Sequence, residues 1–276
     1  MTNQASSHKI GFIGCGAMAK ALGAGLVAAG TSPDLIRASD PVAEAREAFH
    51  KAVGGATAED NREVVANSDV VVLAVKPGAI EGLLQELASC GEDLSRPLWV
   101  SIAAGVPLAA LARPLPPQTR IIRSMPNTPA LVGAAATALC GNEHASEADL
   151  VVAESLFQAV GTTWRAPAEH LLDAVTGLSG SGPAYVFLIL EALGDAGVRV
   201  GLPREAAYQL AFQTVYGAAK LAIESGKHPA QLKDQVTSPG GTTIAGLEQL
   251  ESAGVRAAIY RAVAAATNRS RELGDA

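Results

Sequence analysis

The feature that most constrains this chain is a glycine pattern at residues 14–19, which read Gly-Cys-Gly-Ala-Met-Ala. It directly follows an apolar run, residues 9–13, and opens a helical pattern that Gly30 ends. The first glycine permits a tight turn, the second lets the backbone approach a pyrophosphate, and Ala19 leaves room for helix against strand. Free amides at the helix start would then face the phosphates. The pattern predicts the phosphate loop of a dinucleotide-binding domain rather than a turn that only joins strand to helix.

Short β-rich runs alternate with helical patterns as far as residue 165. The strongest run, residues 69–75, is continuous and β-branched, as is typical of a strand buried on both faces. Further strands are predicted at residues 35–39, 98–102 and 120–123, and a charged helix is predicted to start at Pro41. Strand, helix and strand at this spacing imply βαβ units and a parallel sheet with right-handed crossovers. Residues 1–165 are therefore predicted to form an α/β Rossmann domain.

After Trp164 the strand patterns stop and helical patterns take over. Residues 171–193, 204–225 and 254–273 are each predicted to be helical, and several of these helices are apolar over more than one face. Such helices need a second layer of structure. Residues 166–276 are therefore predicted to form an all-α domain that buries part of its surface against a second subunit; the alternative is that its helices cover one another within one chain.

Composition excludes several classes of partner. The 276 residues carry a formal net charge of −6 without any basic stripe, so nucleic acid is not expected as a partner. No apolar run reaches the length of about 18 residues that a membrane span needs, and residues 1–8 lack the apolar stretch of a signal peptide. The three scattered cysteines are typical of reduced thiols in the cytoplasm, and the five histidines show no metal-ligand spacing. We expect a cytoplasmic chain with no bound metal.

The end of the second predicted strand bears on the form of the dinucleotide. Asp40 lies where an acid would bind the 2′-hydroxyl of NAD, whereas Ser39 beside it could accept a 2′-phosphate, with Arg37 and Arg46 as the nearby cations. Asp40 could instead be the N-cap of the following helix. Lys76 follows the long buried strand and is as consistent with a solvated loop lysine as with a ligand-binding group. The sequence leaves NAD and NADP both open.

Two glycine-rich stretches in the second half are predicted to be helix starts, at residues 179–183 and 238–243. Free amides at such a start can hold a carboxylate, and a threonine hydroxyl can donate to a neighbouring nitrogen or oxygen; ordinary capping is the alternative. Neither stretch has the strand–turn–helix setting of a nucleophile elbow. The chemistry that remains is hydride transfer from a nicotinamide.

Five motifs together resemble those of the pyrroline-5-carboxylate reductase family, and the similarity extends from about residue 10 to residue 273. They lie at residues 11–19, 74–77, 123–129, 173–185 and 238–243. The last two are more specific to this family than the glycine loop is. The resemblance implies a Rossmann domain followed by a helical domain that forms a homodimer or a larger homo-oligomer. It also implies NADP(H), with NAD(H) as the alternative, as the cofactor for reducing 1-pyrroline-5-carboxylate to L-proline.

The resemblance also assigns residues to the cofactor. Around the pyrophosphate these are Ile13, Gly14, Cys15, Gly16, Ala17 and Met18. Ser39 is expected at the ribose phosphate and Asn61 near the adenosine. The nicotinamide side is expected to be lined by Ala74, Val75, Lys76, Pro77, Ala103 and Ala104. Gln235 stands where family members often have Asn, which puts a cofactor contact from the second domain in doubt although the amide is retained.

The substrate residues implied by the resemblance are Gly240, Gly241, Thr242, Thr243 and, with weaker support, Glu169. The two threonines and the amides around them are expected to hold the carboxylate and the ring nitrogen. Thr243 is the predicted catalytic residue, because a hydroxyl at the nitrogen would orient it and relay a proton.

Two other classes of protein compete with this interpretation. The β-hydroxyacid dehydrogenases share a Rossmann domain and a helical domain but use a catalytic lysine on a glycine-rich helix. The helix after Gly182 has no lysine before Lys220, which disfavours that mechanism. A non-catalytic nucleotide sensor that kept the fold is the third interpretation, and the intact Thr242-Thr243 pair argues against it.

Overall fold

The computed structural model describes residues 8–274, which contain eight strands and twelve α-helices. The strands are β1 Ile10–Ile13, β2 Ile36–Ser39, β3 Ala56–Ala58, β4 Val70–Leu73, β5 Leu98–Ser101, β6 Ile121–Met125, β7 Ala135–Gly141 and β8 Gly161–Arg165. The helices are α1 Ala17–Ala28, α2 Ala43–Val53, α3 Asn61–Ala66, α4 Ile80–Ser89, α5 Leu108–Ala112, α6 Glu147–Gln158, α7 Leu171–Val175, α8 Gly182–Arg199, α9 Arg204–Ser225, α10 Pro229–Gln235, α11 Thr242–Ser252 and α12 Val255–Gly274.

All eight strands form one sheet in the order β3-β2-β1-β4-β5-β6-β7-β8. The first six strands in this order are parallel, and their arrangement is that of a doubly wound dinucleotide-binding sheet. The order reverses between β1 and β4, so a crevice opens beyond the carboxyl ends of these two strands. This topology confirms the predicted Rossmann architecture.

The sheet continues beyond the part that the sequence predicted. β7 runs antiparallel to β6, and β8 pairs parallel with β7, so the expectation of a purely parallel sheet is wrong at this edge. β3, β7 and β8 were also not predicted as strands. Their sequences are rich in Ala, Thr and Gly rather than in large β-branched residues, so their own patterns are weak and sheet pairing decides their conformation.

The core forms a layer on each face of the sheet, as β4 shows. Val70 and Val72 pack into one apolar cluster, whereas Val71 and Leu73 pack into the other. Successive side chains of a strand point to opposite faces, so a strand covered on both sides must be apolar throughout. All four residues are at most 1% exposed, which explains the uninterrupted apolar pattern in the sequence.

The chain divides into two compact units. The first comprises the described residues up to Ser181 together with those from Ala265 onward, and the second is Gly182–Ala264. The sequence placed the domain change after residue 165. In the structure, α7 and the last turns of α12 instead pack with the Rossmann unit. The helix predicted over residues 171–193 is interrupted by a π-helical turn, Thr176–Gly180, before α8 begins.

The second unit is helical and leaves much apolar surface uncovered. α8 packs closely on α9, since a Cβ at Gly194 of α8 would lie 2.7 Å from the ring of Tyr208 of α9. Arg204 and Tyr208 of α9 both donate hydrogen bonds to the carboxylate of Asp195 of α8. Large apolar side chains on these two helices nevertheless stay exposed, namely Phe187, Leu188, Leu210, Phe212 and Tyr216. The helices of this unit therefore cover one another only in part. Across residues 8–274, none of the helices combines the length and the apolar character that crossing a bilayer requires.

Candidate functional site

The phosphate loop begins at a glycine whose backbone no other residue type adopts without strain. Gly14 has φ +104°, and a Cβ there would lie 2.6 Å from the carbonyl oxygen of Ala74. The amide of Gly14 donates to the carbonyl of Ser39, and the amide of Ala74 donates to the carbonyl of Ile13. The loop is therefore held between the carboxyl ends of β1, β2 and β4, at the crevice where the strand order reverses.

The start of α1 is open to a ligand. Gly16 is its N-cap without any side-chain cap, and no acidic residue lies in the first turn. A Cβ at Gly16 would meet nothing within 4 Å, whereas Ala19 behind it is completely buried. The first amides of the helix, which include those of Ala17 and Met18, thus face free space and are oriented for an anion. These features fit the pyrophosphate of a dinucleotide.

Cys15 contributes its backbone to this loop rather than a reactive thiol. Its side chain is 1% exposed, and burial, reinforced by the negative charge of Asp40, raises the pKa of the thiol to about 11. The thiol stays protonated near neutral pH and is not a nucleophile. In the described part of the chain, no group of three His, Cys, Asp or Glu side chains is arranged to hold a metal ion.

The end of β2 places Ser39 and Asn61 together, although the sequence assigned them to different parts of the dinucleotide. Ser39 is completely buried, and its hydroxyl donates to Oδ1 of Asn61 over 2.7 Å. Asn61 is half-buried at the first turn of α3, which Asp60 caps. Direct contact of Ser39 with a ribose phosphate stays a prediction; the observed contact orients the Asn61 amide.

Asp40 is not a helix N-cap, and the helix does not begin at Pro41 but at Ala43, with Val42 as the N-cap. The carboxylate of Asp40 instead accepts from the amide of Cys15 in the phosphate loop and from the amide of Val42, each over 2.9 Å. It thereby fixes the turn after β2 beside the phosphate loop, which sequence spacing alone did not reveal.

The residues expected on the nicotinamide side lie at the carboxyl ends of β4 and β5. Ala103 is buried, Ala74, Val75 and Ala104 are half-buried, and Lys76 and Pro77 are exposed. Two of these residues line one cavity of about 530 Å³, whose walls include Pro77, Ile80, Ala104, Val106, Pro107 and Leu273. The structure thus brings the two loops to the same edge of the sheet, beyond the strand ends where ligands of such sheets bind.

Glu169 lies in a partly buried cluster of charges within the first unit. One oxygen accepts from the amide of Leu108 over 2.7 Å and from the guanidinium of Arg123 over 2.9 Å. Arg123, 5% exposed, also pairs with Asp173, which in turn accepts from the hydroxyl of Ser270. The cluster joins β6, α7 and the end of α12. The substrate contact expected of Glu169 stays a prediction; the observed contacts are structural.

Asn127 is a further residue whose role the sequence did not indicate. It is 9% exposed; its amide donates to the carbonyl of Ser179 over 3.0 Å, and its Oδ1 accepts from the amide of Ala136. Ser179 belongs to the π-helical turn before α8, where the amide of Ser181 reaches the carbonyl of Thr176. Asn127 thus satisfies a carbonyl at a widened turn, a geometry frequent at functional sites. The sequence signal that could have identified Asn127 is its position within the family motif at residues 123–129.

The second unit contains the predicted substrate loop. Gly240 has φ +66°, and the amide of Gly241 donates to the carbonyl of Ser238, which closes a turn directly before α11. Gly240 is favoured by its left-handed backbone, whereas Gly241 leaves room for the hydroxyl of Ser238, whose Oγ would lie 2.3 Å from a Cβ there. Thr242 and Thr243 occupy the first turn of α11, Thr242 exposed and Thr243 half-buried. Gln235 is exposed at the end of α10.

Two family models match the chain, one in each half. A model described as "NADP oxidoreductase coenzyme F420-dependent" matches residues 9–105, which include the phosphate loop and β1 to β5. A model described as "Pyrroline-5-carboxylate reductase dimerisation" matches residues 169–273, which include α7 to α12. The order of the two matches agrees with the Rossmann and helical parts of the fold.

Relatives extend the similarity over nearly the whole chain. A pyrroline-5-carboxylate reductase of Methanosarcina acetivorans is 47% identical over 97% of this chain and 98% of its own length, and that of Escherichia coli is 44% identical over 96% and 98%. Among solved structures, the enzyme of Coxiella burnetii superposes with a TM-score of 0.91 at 41% identity, covering 97% of this chain and 99% of its own. The Plasmodium falciparum enzyme, solved with NADP bound, gives 0.87 at 32% identity, covering 98% and 100%. The chain belongs to the pyrroline-5-carboxylate reductase family.

Proposed function

We propose that this chain reduces 1-pyrroline-5-carboxylate to L-proline, with NADPH or NADH as the hydride donor. The observation that carries the proposal is the similarity to enzymes of this name over almost the full length, including the phosphate loop and the Ser238–Thr243 turn. The first provides a site for a dinucleotide, and the second a helix start suited to a carboxylate. We propose the cytoplasm as the location, a view supported by the three free cysteines.

In this proposal, backbone amides bind the anionic groups of the ligands, and one side-chain hydroxyl relays a proton. The amides at the start of α1 hold the pyrophosphate, and the amides at the start of α11 hold the substrate carboxylate. When bound, the dinucleotide supplies a hydride to the imine carbon. The imine nitrogen becomes an amine and takes up one proton, and the hydroxyl of Thr243 orients that nitrogen and relays the proton.

The proposal is tested by mixing the purified chain with pyrroline-5-carboxylate and either NADPH or NADH, and following the reduced-nicotinamide absorbance while proline is quantified. We expect oxidation of the dinucleotide and proline in equal amounts. Binding of a dinucleotide without oxidation would favour a nucleotide sensor, and oxidation only with a β-keto acid would favour the dehydrogenase class.

The role of Thr243 is tested by substitution at that position. Thr243→Val removes the hydroxyl at nearly constant volume and is expected to lower turnover at least about tenfold, with little change in dinucleotide affinity. Thr243→Ser keeps a hydroxyl and is expected to retain most of the activity. Near-normal turnover of Thr243→Val would remove Thr243 from this role.

We further propose that the functional form is a homodimer or a larger homo-oligomer built on the second unit. The support is the match of residues 169–273 to a dimerisation family, together with the exposed apolar side chains of α8 and α9. Apolar patches of this kind are typical of surfaces that associate.

A further inference from the structure

The loop after β5, residues 102–107, includes two of the residues expected on the nicotinamide side, and only its first half is tied to the sheet. The amide of Ile102 donates to the carbonyl of Leu73 over 3.2 Å, and the amide of Ala103 donates to Oγ of Ser101 over 3.3 Å. The loop then leaves the sheet and reaches the start of α5 at Leu108. The position of its second half therefore depends on contacts with other elements.

The first of these contacts is made by Gly105 with the last turn of α12. Gly105 has φ +75°, and a Cβ there would lie 3.1 Å from Cβ of Leu273 and 3.6 Å from the carbonyl oxygen of Ser270. A Cβ at Gly274 would likewise lie 2.9 Å from the carbonyl oxygen of Gly105. The loop and the helix end meet backbone to backbone, so a displacement of this turn of α12 displaces the loop as well.

The second contact lies three residues further on, at the start of α5. The amide of Leu108 donates to Oε1 of Glu169 over 2.7 Å, and the same oxygen accepts from the guanidinium of Arg123 over 2.9 Å. A hydrogen bond from a helix-start amide to a carboxylate is charge-assisted and therefore among the stronger ones. It fixes the end of the loop to the segment that precedes α7.

One chain of polar contacts joins the two points. Arg123 also pairs with Asp173 over 3.2 Å, and Asp173 accepts from the hydroxyl of Ser270 over 2.8 Å. Ser270 is 3% exposed and lies one turn before Leu273 in α12. The contacts thus form a closed ring within the first unit, which begins and ends on residues 105–108 and contains Gly105, Leu108, Glu169, Arg123, Asp173 and Ser270.

We propose that Ser270 and Asp173 are positioning residues for hydride transfer, because the ring that they complete fixes residues 103–108 on the nicotinamide side of the site. Neither side chain is expected to touch the dinucleotide or the substrate. Hydride transfer requires the two reacting atoms to lie about 3–3.5 Å apart, and a misplacement of about 1 Å can lower the rate about 100-fold. The inference rests on the proposed function, in which Ala103 and Ala104 line the nicotinamide.

Ser270→Ala tests the proposal, because it removes the hydroxyl that closes the ring and keeps a good helix former in α12. Without ligand, amide hydrogen exchange in the peptide covering residues 102–108 is expected to become at least about threefold faster. In turnover, kcat is expected to fall about tenfold, whereas KM for pyrroline-5-carboxylate and the dissociation constant of NADPH change less than about threefold. The primary isotope effect with NADPH deuterated at the transferred position is expected to rise, since hydride transfer then limits the rate more strongly.

A chain that ends after Glu272 tests the other side of the ring. It lacks the contacts of Leu273 and Gly274 with Gly105 but keeps the hydroxyl of Ser270. The same changes in hydrogen exchange, kcat and isotope effect are expected for this variant.

Ser155→Ala is the matched control. Its hydroxyl donates to the carbonyl of Val152 over 2.7 Å within α6, which packs on the opposite face of the sheet from α5. This variant is expected to change neither the exchange at residues 102–108 nor the isotope effect.

Unchanged exchange at residues 102–108 in Ser270→Ala would overturn the proposal, and so would faster exchange with unchanged kcat and isotope effect. A fall in kcat that only matches a loss of folded protein by circular dichroism, without a change in the isotope effect, would indicate a merely structural role and overturn it too. Hydrogen exchange needs no substrate. A wild-type chain that does not reduce pyrroline-5-carboxylate would therefore contradict the proposed function, whereas the exchange data would still decide whether the ring holds the loop.

Discussion

Gly14 and Gly16 lie in the same loop but are required for different physical reasons. Gly14 has a positive φ, and a Cβ there would lie 2.6 Å from the carbonyl oxygen of Ala74, so a side chain at this position disturbs the protein itself. Gly16 has φ −68° and open space around it, so a side chain there disturbs only a ligand. The same residue type thus serves the fold in one case and the ligand in the other.

Alanine at each position separates the two effects. Gly14→Ala is expected to lower the free energy of unfolding by about 1–3 kcal/mol, because of the left-handed backbone and the close carbonyl. Gly16→Ala is expected to leave the melting temperature nearly unchanged and to weaken NADPH binding about tenfold or more. Thermal melting and fluorescence titration measure the two quantities. Equal losses of stability in both variants would contradict the distinction.

Ser39 is expected to influence the dinucleotide through Asn61. If so, Ser39→Ala and Asn61→Ala each weaken binding severalfold, whereas the double variant is no weaker than Asn61→Ala alone. The dissociation constants of the four proteins form a double-mutant cycle. Additive losses would indicate that Ser39 contacts the ligand independently, as the family resemblance suggested.

Arg123 holds together elements that are distant in sequence. It neutralises Glu169 and Asp173, so removing it leaves two carboxylates without their cation in a largely buried place. Arg123→Met is expected to lower the free energy of unfolding by about 3–5 kcal/mol in urea titrations. Arg165→Met is the control, because Arg165 also pairs with two carboxylates, Glu147 and Glu154, but is itself 34% exposed; it is expected to cost less than about 1 kcal/mol. A similar loss in both would contradict the assigned importance of the buried cluster.

The elements that the sequence predicted well are those whose local pattern and tertiary role agree. β4 is apolar throughout because both of its faces are covered, and residues 204–225 were predicted at the bounds of α9. β7 and β8 were missed because pairing at the sheet edge, not residue preference, makes them strands. The helix start predicted at residues 179–183 agrees with the beginning of α8 at Gly182, whereas the π-helical turn before it, where Asn127 donates to the Ser179 carbonyl, was not predicted.

The second unit alone leaves an apolar surface that a second copy of the chain would cover. In the proposed oligomer, Leu188→Glu places a charge in a desolvated interface, which costs several kcal/mol, so the variant is expected to dissociate. Light scattering coupled to size exclusion measures the mass. Val132→Glu is the control, since Val132 is 80% exposed in the first unit and is expected not to change the mass. A monomeric wild-type chain would contradict the proposed assembly.

For the molecule as a whole, the sequence was sufficient for the Rossmann and helical halves, the glycine turn between β1 and α1 and the family. These depend on short-range patterns: glycine spacing, apolar periodicity and motifs whose residues are neighbours in the chain. The pairing of Ser39 with Asn61, the ties from Asp40 to Cys15 and Val42, and the Arg123 cluster became visible only in three dimensions. Most of these contacts join residues more than twenty positions apart, and no local pattern specifies which of many polar side chains will meet when the elements pack.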